Sequence, residues 1–269
     1  MSNSNARHRL RAEQAAKAAK KRRNRIIGAA IVVIALVTAV TVGVVLLQSQ
    51  PVSVSTGDGV PGSTPGATGQ AGGGPVQPPN ANSAGTAIVV NPGKAPDSAP
   101  LVEIFFDYQC PNCHAVETQL GPTFESLADA GTIRLEYRAM TFLDQNLRND
   151  SSSRPAIAAA CADTVGAYSA YHDQVFANQP AQEGDGYSDA LLRETIPAAV
   201  GLSGDNLASF QRCYDQRATG AFVTKVAEQA LADGVNGTPT VHVNGKDLDF
   251  TKLADPTGLG ALIAQTAAS

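Results

Sequence analysis

The sequence predicts an α/β domain carried behind a single membrane-spanning helix, with a helical insertion inside the domain. Three observations predict it. The first aromatic residue is Phe105 and the first cysteine is Cys110, so a packed core with large side chains belongs to the C-terminal part of the 269 residues. Residues 26–47 form an apolar run without a single charge. Beyond residue 85, short apolar runs alternate with stretches of helical periodicity, the pattern of strands joined by helices.

The N-terminal part divides by composition. Residues 1–25 hold nine Lys or Arg against one acid, Glu13, whereas the remainder is strongly acidic, and the formal net charge of −4 hides this split. A basic run such as Lys20-Lys21-Arg22-Arg23 can serve nucleic acid, but here it abuts the apolar segment, which favours a membrane role. At 1.5 Å per residue the 22 residues of 26–47 reach about 33 Å, enough to cross a hydrocarbon core of about 30 Å. The run exceeds the roughly 7–15 residues of a cleavable signal, and Leu46-Leu47-Gln48-Ser49-Gln50 offers no small-residue cleavage pattern. An uncleaved anchor is expected, single-pass in the cell membrane, with residues 1–25 as a cytoplasmic basic tail and everything after Leu47 outside. Residues 48–84, rich in Gly, Pro, Ser and Thr, read as a disordered linker, and 85–269 as the folded domain.

Within the domain, 87–90 and 101–106 read as strands and 111–129 as a helix with Val116, Leu120, Phe124 and Leu127 on one face. A third strand is expected over 133–140, where Ile133, Leu135 and Tyr137 alternate with Arg134, Glu136 and Arg138. The strand–helix–strand order implies parallel pairing of the second and third strands. An insertion of helices follows over about 150–233. Next comes a hairpin of 240–243 and 248–250 around Asn244-Gly245, and a closing helix over about 258–267. His172, Tyr168 and Tyr171 read as ordinary helix residues.

Four cysteines carry the chemistry. Cys110 and Cys113 form a Cys-Pro-Asn-Cys motif that follows a strand and opens a helix. At that position the helix dipole and free backbone N–H groups stabilise a thiolate at Cys110, and Cys113, one turn later, can attack a mixed disulfide formed there. Pro111 suits the first helical position, where its missing N–H has no helical partner. Zinc uses the same Cys spacing but needs two more ligands, and His114, His172 and His242 stand isolated in the domain, so no metal is expected. The acidic domain argues against nucleic acid.

The run Phe105-Phe106-Asp107-Tyr108-Gln109-Cys110-Pro111-Asn112-Cys113, followed far downstream by Gly237-Thr238-Pro239-Thr240 and a strand, resembles the DsbA-like thioredoxin-fold proteins. The stretch from Val200 to Asp205, with Phe210 and Cys213 after it, resembles their helical insertion, and the likeness extends over about 85–269. The resemblance implies a thioredoxin-like fold and a cis Thr238–Pro239 peptide beside the cysteines, where a substrate strand can pair. Membrane-anchored actinobacterial members look similar in having a second cysteine pair. By that likeness Cys161 and Cys213 are expected to form a structural disulfide between insertion helices, with a shuttle to Cys110–Cys113 as the alternative.

Two departures from the family pattern stand out. Many thioredoxin-fold enzymes place a buried acid six residues before the first cysteine. Here that residue is Ile104, and Glu103 points to the opposite face. The most oxidising members resemble Cys-Pro-His-Cys, whereas Asn112 supplies no charge. His114, just outside the motif, reads as a solvated helix histidine. The expected function is extracytoplasmic introduction of disulfides into reduced or unfolded exported proteins, without a bound cofactor. The resemblance implies recharging by a quinone-linked membrane oxidant, either a DsbB-like protein or a vitamin K epoxide reductase homologue. A tethered reductase, as in cytochrome c maturation, and a non-catalytic binding module are the alternatives. Isomerase activity is disfavoured by the lack of a visible dimerisation domain.

Overall fold

The computed structural model describes residues 75–269. The expected basic tail 1–25, the membrane helix 26–47 and most of the linker 48–84 lie outside the described residues. The described chain runs β1 (Ile88–Val90), β2 (Leu101–Phe106), α1 (Pro111–Asp129), β3 (Arg134–Ala139), α2 (Phe142–Leu147), α3 (Ser153–Asp163) and α4 (Tyr168–Ala177). A wide helical turn, Leu191–Thr195, leads into α5 (Ile196–Ala199), then α6 (Gly204–Asp215), α7 (Gly220–Ala232), β4 (Thr240–Val243), β5 (Lys246–Asp247) and α8 (Leu259–Ala268). The strands form one sheet in the order β1-β3-β2-β4-β5. β2 and β3 are parallel across α1, as the strand–helix–strand reading requires, and the other pairings are antiparallel.

Strand alternation gives the sheet two chemically different faces. On one, Ile88, Tyr137, Ile104 and Val241 stand in a cross-strand row inside the main core, joined by Phe124 and Leu120 of α1 and by Leu259 and Ile263 of α8. On the other, the neighbouring row carries Glu136, Glu103, His242 and Asp247. Glu103 and Glu136 are directly opposed, and Arg138 relieves the repulsion, its Nη2 lying 2.8 Å from a carboxylate oxygen of each. The same guanidinium donates to the Thr86 carbonyl and hydroxyl and lies over the Phe105 ring. A smaller apolar cluster of Phe105, Met140, Ala230 and Val235 completes this side.

Three sequence expectations shift. The fold takes up the chain before residue 85. Val76 N–H donates to the Ala218 carbonyl, Asn80 binds both carboxylate oxygens of Asp163, and Asn82 N–H donates to Ala87. Composition misses this because hydrogen bonds of Asn80 and Asn82 hold the segment, with only the small apolar contacts of Pro78 and Ala81 beside them. The insertion begins earlier than residue 150, with α2. The second arm of the hairpin is Lys246–Asp247 and not 248–250. Asn244 and Gly245 both adopt left-handed backbone (φ 51 and 78), which brings Val243 opposite Lys246 at once. Asp249 then accepts from the Thr251 N–H and turns Phe250–Lys252 into a short helical turn.

Cys161 at the end of α3 and Cys213 in α6 are joined by a disulfide that spans a sequence separation of 52. Two stability outcomes follow from this framework. Arg138→Met should destabilise the domain by about 3 kcal/mol in urea unfolding, since it leaves two facing, partly buried carboxylates uncompensated. Cys213→Ser should cost up to about 4 kcal/mol by the chain-entropy model while leaving the chemistry at Cys110 intact.

Candidate active site

β2 delivers the chain to a tight turn, Asp107–Cys110, whose Cys110 N–H donates to the Asp107 carbonyl (3.0 Å). Cys110 keeps extended backbone as the residue capping α1, Pro111 occupies the first helical position, and His114 N–H makes the first helical bond back to the Cys110 carbonyl. This arrangement points the free N–H groups of the first turn at the Cys110 sulfur. Both thiols are free; Cys110 is 6% exposed and Cys113 1%. The Thr238–Pro239 peptide is cis, and the Thr238 carbonyl lies 3.5 Å from Cys110 Sγ. The structure thus brings Cys110, Pro111, Asn112, Cys113, Thr238 and Pro239 together, and places Cys161–Cys213 apart from them as a separate bridge.

The two sulfurs are electrostatically unlike. Cys110 is pulled down to about 6, chiefly because the Cys113 thiol donates to it; burial opposes this, and the N–H groups of Cys113 and Asn112 assist. Burial pushes the Cys113 thiol far up, and the adjacent Cys110 sulfur pushes it further. Its sulfur also accepts from the Asp107 N–H at 3.4 Å. One sulfur is a thiolate near neutral pH and the other holds its proton.

The turn is fixed by residues the motif does not contain. Gln179 Nε2 donates to the carbonyls of Tyr108 (2.9 Å) and Cys110 (3.1 Å), and the Tyr187 hydroxyl donates to Tyr108 at 2.6 Å. Gln109 reaches the other way. Its amide exchanges bonds with Asn149, and its Nε2 lies 2.9 Å from Asp144 Oδ1 and 2.7 Å from Ser152 Oγ. Asp144 in turn accepts from the N–H groups of Ser152 and Ser153 at the start of α3.

Behind the motif, His172 corrects the ordinary-helix reading. It is fully buried, within 5.1 Å ring to ring of Phe106, Tyr137 and Phe176. Its Nδ1 shares a hydrogen bond with the Tyr108 hydroxyl (2.9 Å), and its Nε2 stands 3.5 Å from the buried Glu117, which also accepts from Tyr137. The signal for this was present: Tyr168 and Phe176 flank His172 four residues away on each side, on one helix face. His114 is likewise not a freely solvated side chain, because its Nδ1 donates to the Phe176 carbonyl (2.9 Å). No group of metal-ligating side chains occurs among the described residues.

The family model described as Thioredoxin matches residues 93–264. The chain belongs to the thioredoxin family. Within it the chain is DsbA-like. It shares 28% identity with reduced DsbA from Mycobacterium tuberculosis over 68% of this chain and 93% of that one, at a TM-score of 0.55. DsbG from the same organism matches at 28% identity over 69% of this chain and 89% of its own, also at 0.55. MdbA of Actinomyces oris, a thiol-disulfide oxidoreductase, shares the fold at 24% identity and a TM-score of 0.59, covering 72% of this chain and 92% of its own. No functionally curated protein matches the chain by sequence. In this thioredoxin-family chain, alkylation of the reduced protein should modify Cys110 alone, with a rate that rises through a midpoint near pH 6. Modification of Cys113 at comparable rate would contradict the asymmetry.

Proposed function

We propose that the protein is an extracytoplasmic thiol–disulfide oxidoreductase that introduces disulfides into exported proteins through Cys110-Pro111-Asn112-Cys113. The observation that carries this is the asymmetry of the two thiols. A stabilised Cys110 thiolate favours the reduced enzyme, and an enzyme whose reduced form is stabilised is a strong oxidant.

The chemistry follows from the geometry. A client thiolate attacks Cys110 Sγ of the oxidised enzyme, the Cys110–Cys113 bond breaks, and Cys113 takes up a proton as its high proton affinity demands. The second client thiolate attacks the client sulfur of the mixed disulfide and expels Cys110 as a thiolate, so two electrons pass from client to enzyme. The client backbone pairs beside Thr238, whose carbonyl borders the reacting sulfur. An open groove of about 310 Å³, lined by Val116, Gln119, Leu120, Phe250 and Leu253, lies along α1 just past the cysteines and offers a partly apolar seat for an unfolded segment. Asn112 is exposed and adds no charge, so the helix terminus and Cys113 supply the thiolate stabilisation.

The charge-free run 26–47 behind a basic tail supports a single-pass anchor with the catalytic domain outside the cytoplasm. There a quinone-linked membrane oxidant, DsbB-like or a vitamin K epoxide reductase homologue, would recharge the site. The opposite direction, a tethered reductase, uses the same residues, and the potential separates the two. Against glutathione buffers the Cys110–Cys113 couple should lie nearer about −120 mV than about −270 mV; the lower value would make the protein a reductant. In cells, Cys113→Ala should accumulate mixed disulfides with several exported proteins, all lost on adding Cys110→Ser. A binding module with a locked disulfide would trap none.

A further inference from the structure

Asp107 is a fully buried carboxylic acid that the thiol chemistry above leaves without a part. It is bonded to both reacting residues through its backbone. Its carbonyl accepts from Cys110 N–H and its own N–H donates to Cys113 Sγ. Its side chain is only half satisfied: Oδ1 accepts from the Gln109 N–H (2.9 Å), while Oδ2 is buried with no hydrogen-bond partner. No Lys, Arg or His among the described residues pairs with it. The groups that face its carboxyl are Cys110 at the start of α1, Asp144 of α2, the Ser152 hydroxyl ahead of α3, and Tyr187 from the segment before α5.

A buried carboxylate with an unpartnered oxygen and no cation is costly in its charged form. A thiolate appearing one turn away adds a like charge to that cost. The residue therefore gains a reason to take a proton when the disulfide is reduced and to lose it when the disulfide reforms. Resting on the oxidoreductase reading, we propose that Asp107 is the proton partner of the cysteine pair, binding the second client proton on reduction and releasing it on reoxidation. The step balances. Oxidised enzyme with Asp107 ionised meets a client dithiol and takes two electrons and two protons. One proton goes to Cys113 and one to Asp107, Cys110 remains a thiolate, and the client leaves as a disulfide. Burial pushes Asp107 up to about 7; the Asp144 carboxylate and the Cys110 sulfur push the same way, against the Ser152 hydroxyl and the Gln109 N–H. A group poised there changes occupancy for a small push at neutral pH.

This role differs from that of the acid expected six residues before Cys110, whose place Ile104 fills with an apolar side chain at 0% exposure. The sign is fixed by the geometry. At low pH Asp107 is neutral in both redox states and behaves like Asn. At high pH its charge opposes the thiolate and makes the wild-type protein the weaker oxidant.

The test is the equilibrium constant with glutathione, measured on the full-length protein and on Asp107→Asn from about pH 6 to about pH 8. The ratio of wild type to variant, in oxidising strength, should fall by about threefold or more across that range, the factor that half a pKa unit of mutual interaction produces. A ratio independent of pH would overturn the proposal. Should Asp107→Asn fold poorly, the wild type alone decides it through the reduced-minus-oxidised infrared difference spectrum. A protonated-carboxyl band that appears on reduction supports the proposal, and its absence overturns it. If the cysteines do not exchange with glutathione at all, the oxidoreductase reading itself fails, an outcome distinct from a flat ratio in a protein that exchanges.

Discussion

Two consecutive stretches of backbone, the turn Asp107–Cys110 and the first turn of α1, must meet at one sulfur, and the domain is organised around holding them there. Gln179 and Tyr187 grip the turn's carbonyls from one side, while Gln109 ties it to Asn149, Asp144 and Ser152 on the other. A thiolate is stabilised by N–H groups only when they stay aimed at it, because charge–dipole interactions fall off steeply with misalignment. The insertion helices contribute by supplying this scaffold. Asp144, Ser152, Gln179 and Tyr187 all come from the segment between β3 and β4 that a minimal strand–helix–strand unit would lack.

The polar groups beneath the site form two separate systems. One is Asp107 with Gln109 and Asp144; the other is Tyr108, His172, Glu117 and Tyr137. Adjacent residues of one turn feed both: Asp107 opens the first and Tyr108 sends its hydroxyl into the second. Buried networks of this kind rigidify their surroundings when satisfied and are sensitive where they are not. The unpartnered oxygens of Asp107 and Glu117 mark the places where each network has capacity to spare.

Much of the frame was legible in the sequence. The bounds of β2 and α1 were readable because apolar alternation, Cys110 and Pro111 mark them locally. The parallel pairing of β2 and β3 followed from a helix standing between two strands. What sequence could not give were partners set by tertiary contact. Gln109 bonds across 35 to 43 residues and Gln179 across about 70, and neither sits in a local pattern that marks it. His172 is intermediate: its aromatic neighbours one turn away hinted at burial, but nothing local pointed to Glu117 in another helix. The linker boundary failed for a different reason, since Asn80 and Asn82 hold their segment by hydrogen bonds that composition does not register.

The segment that enters the domain at Val76 grips it at several points, two of them beside the disulfide. Asn80 holds Asp163, two residues past Cys161, and Val76 holds Ala218, five residues past Cys213. The two grips therefore sit beside the two halves of one covalent bridge. The chain meets the α6–α7 turn at Val76 and then, at Asn80, both α3 and the edge strand β1, whose Val89 N–H donates to the Asn80 carbonyl. The bridge thus ties together the two segments that receive the incoming chain, apart from the sulfurs at the start of α1.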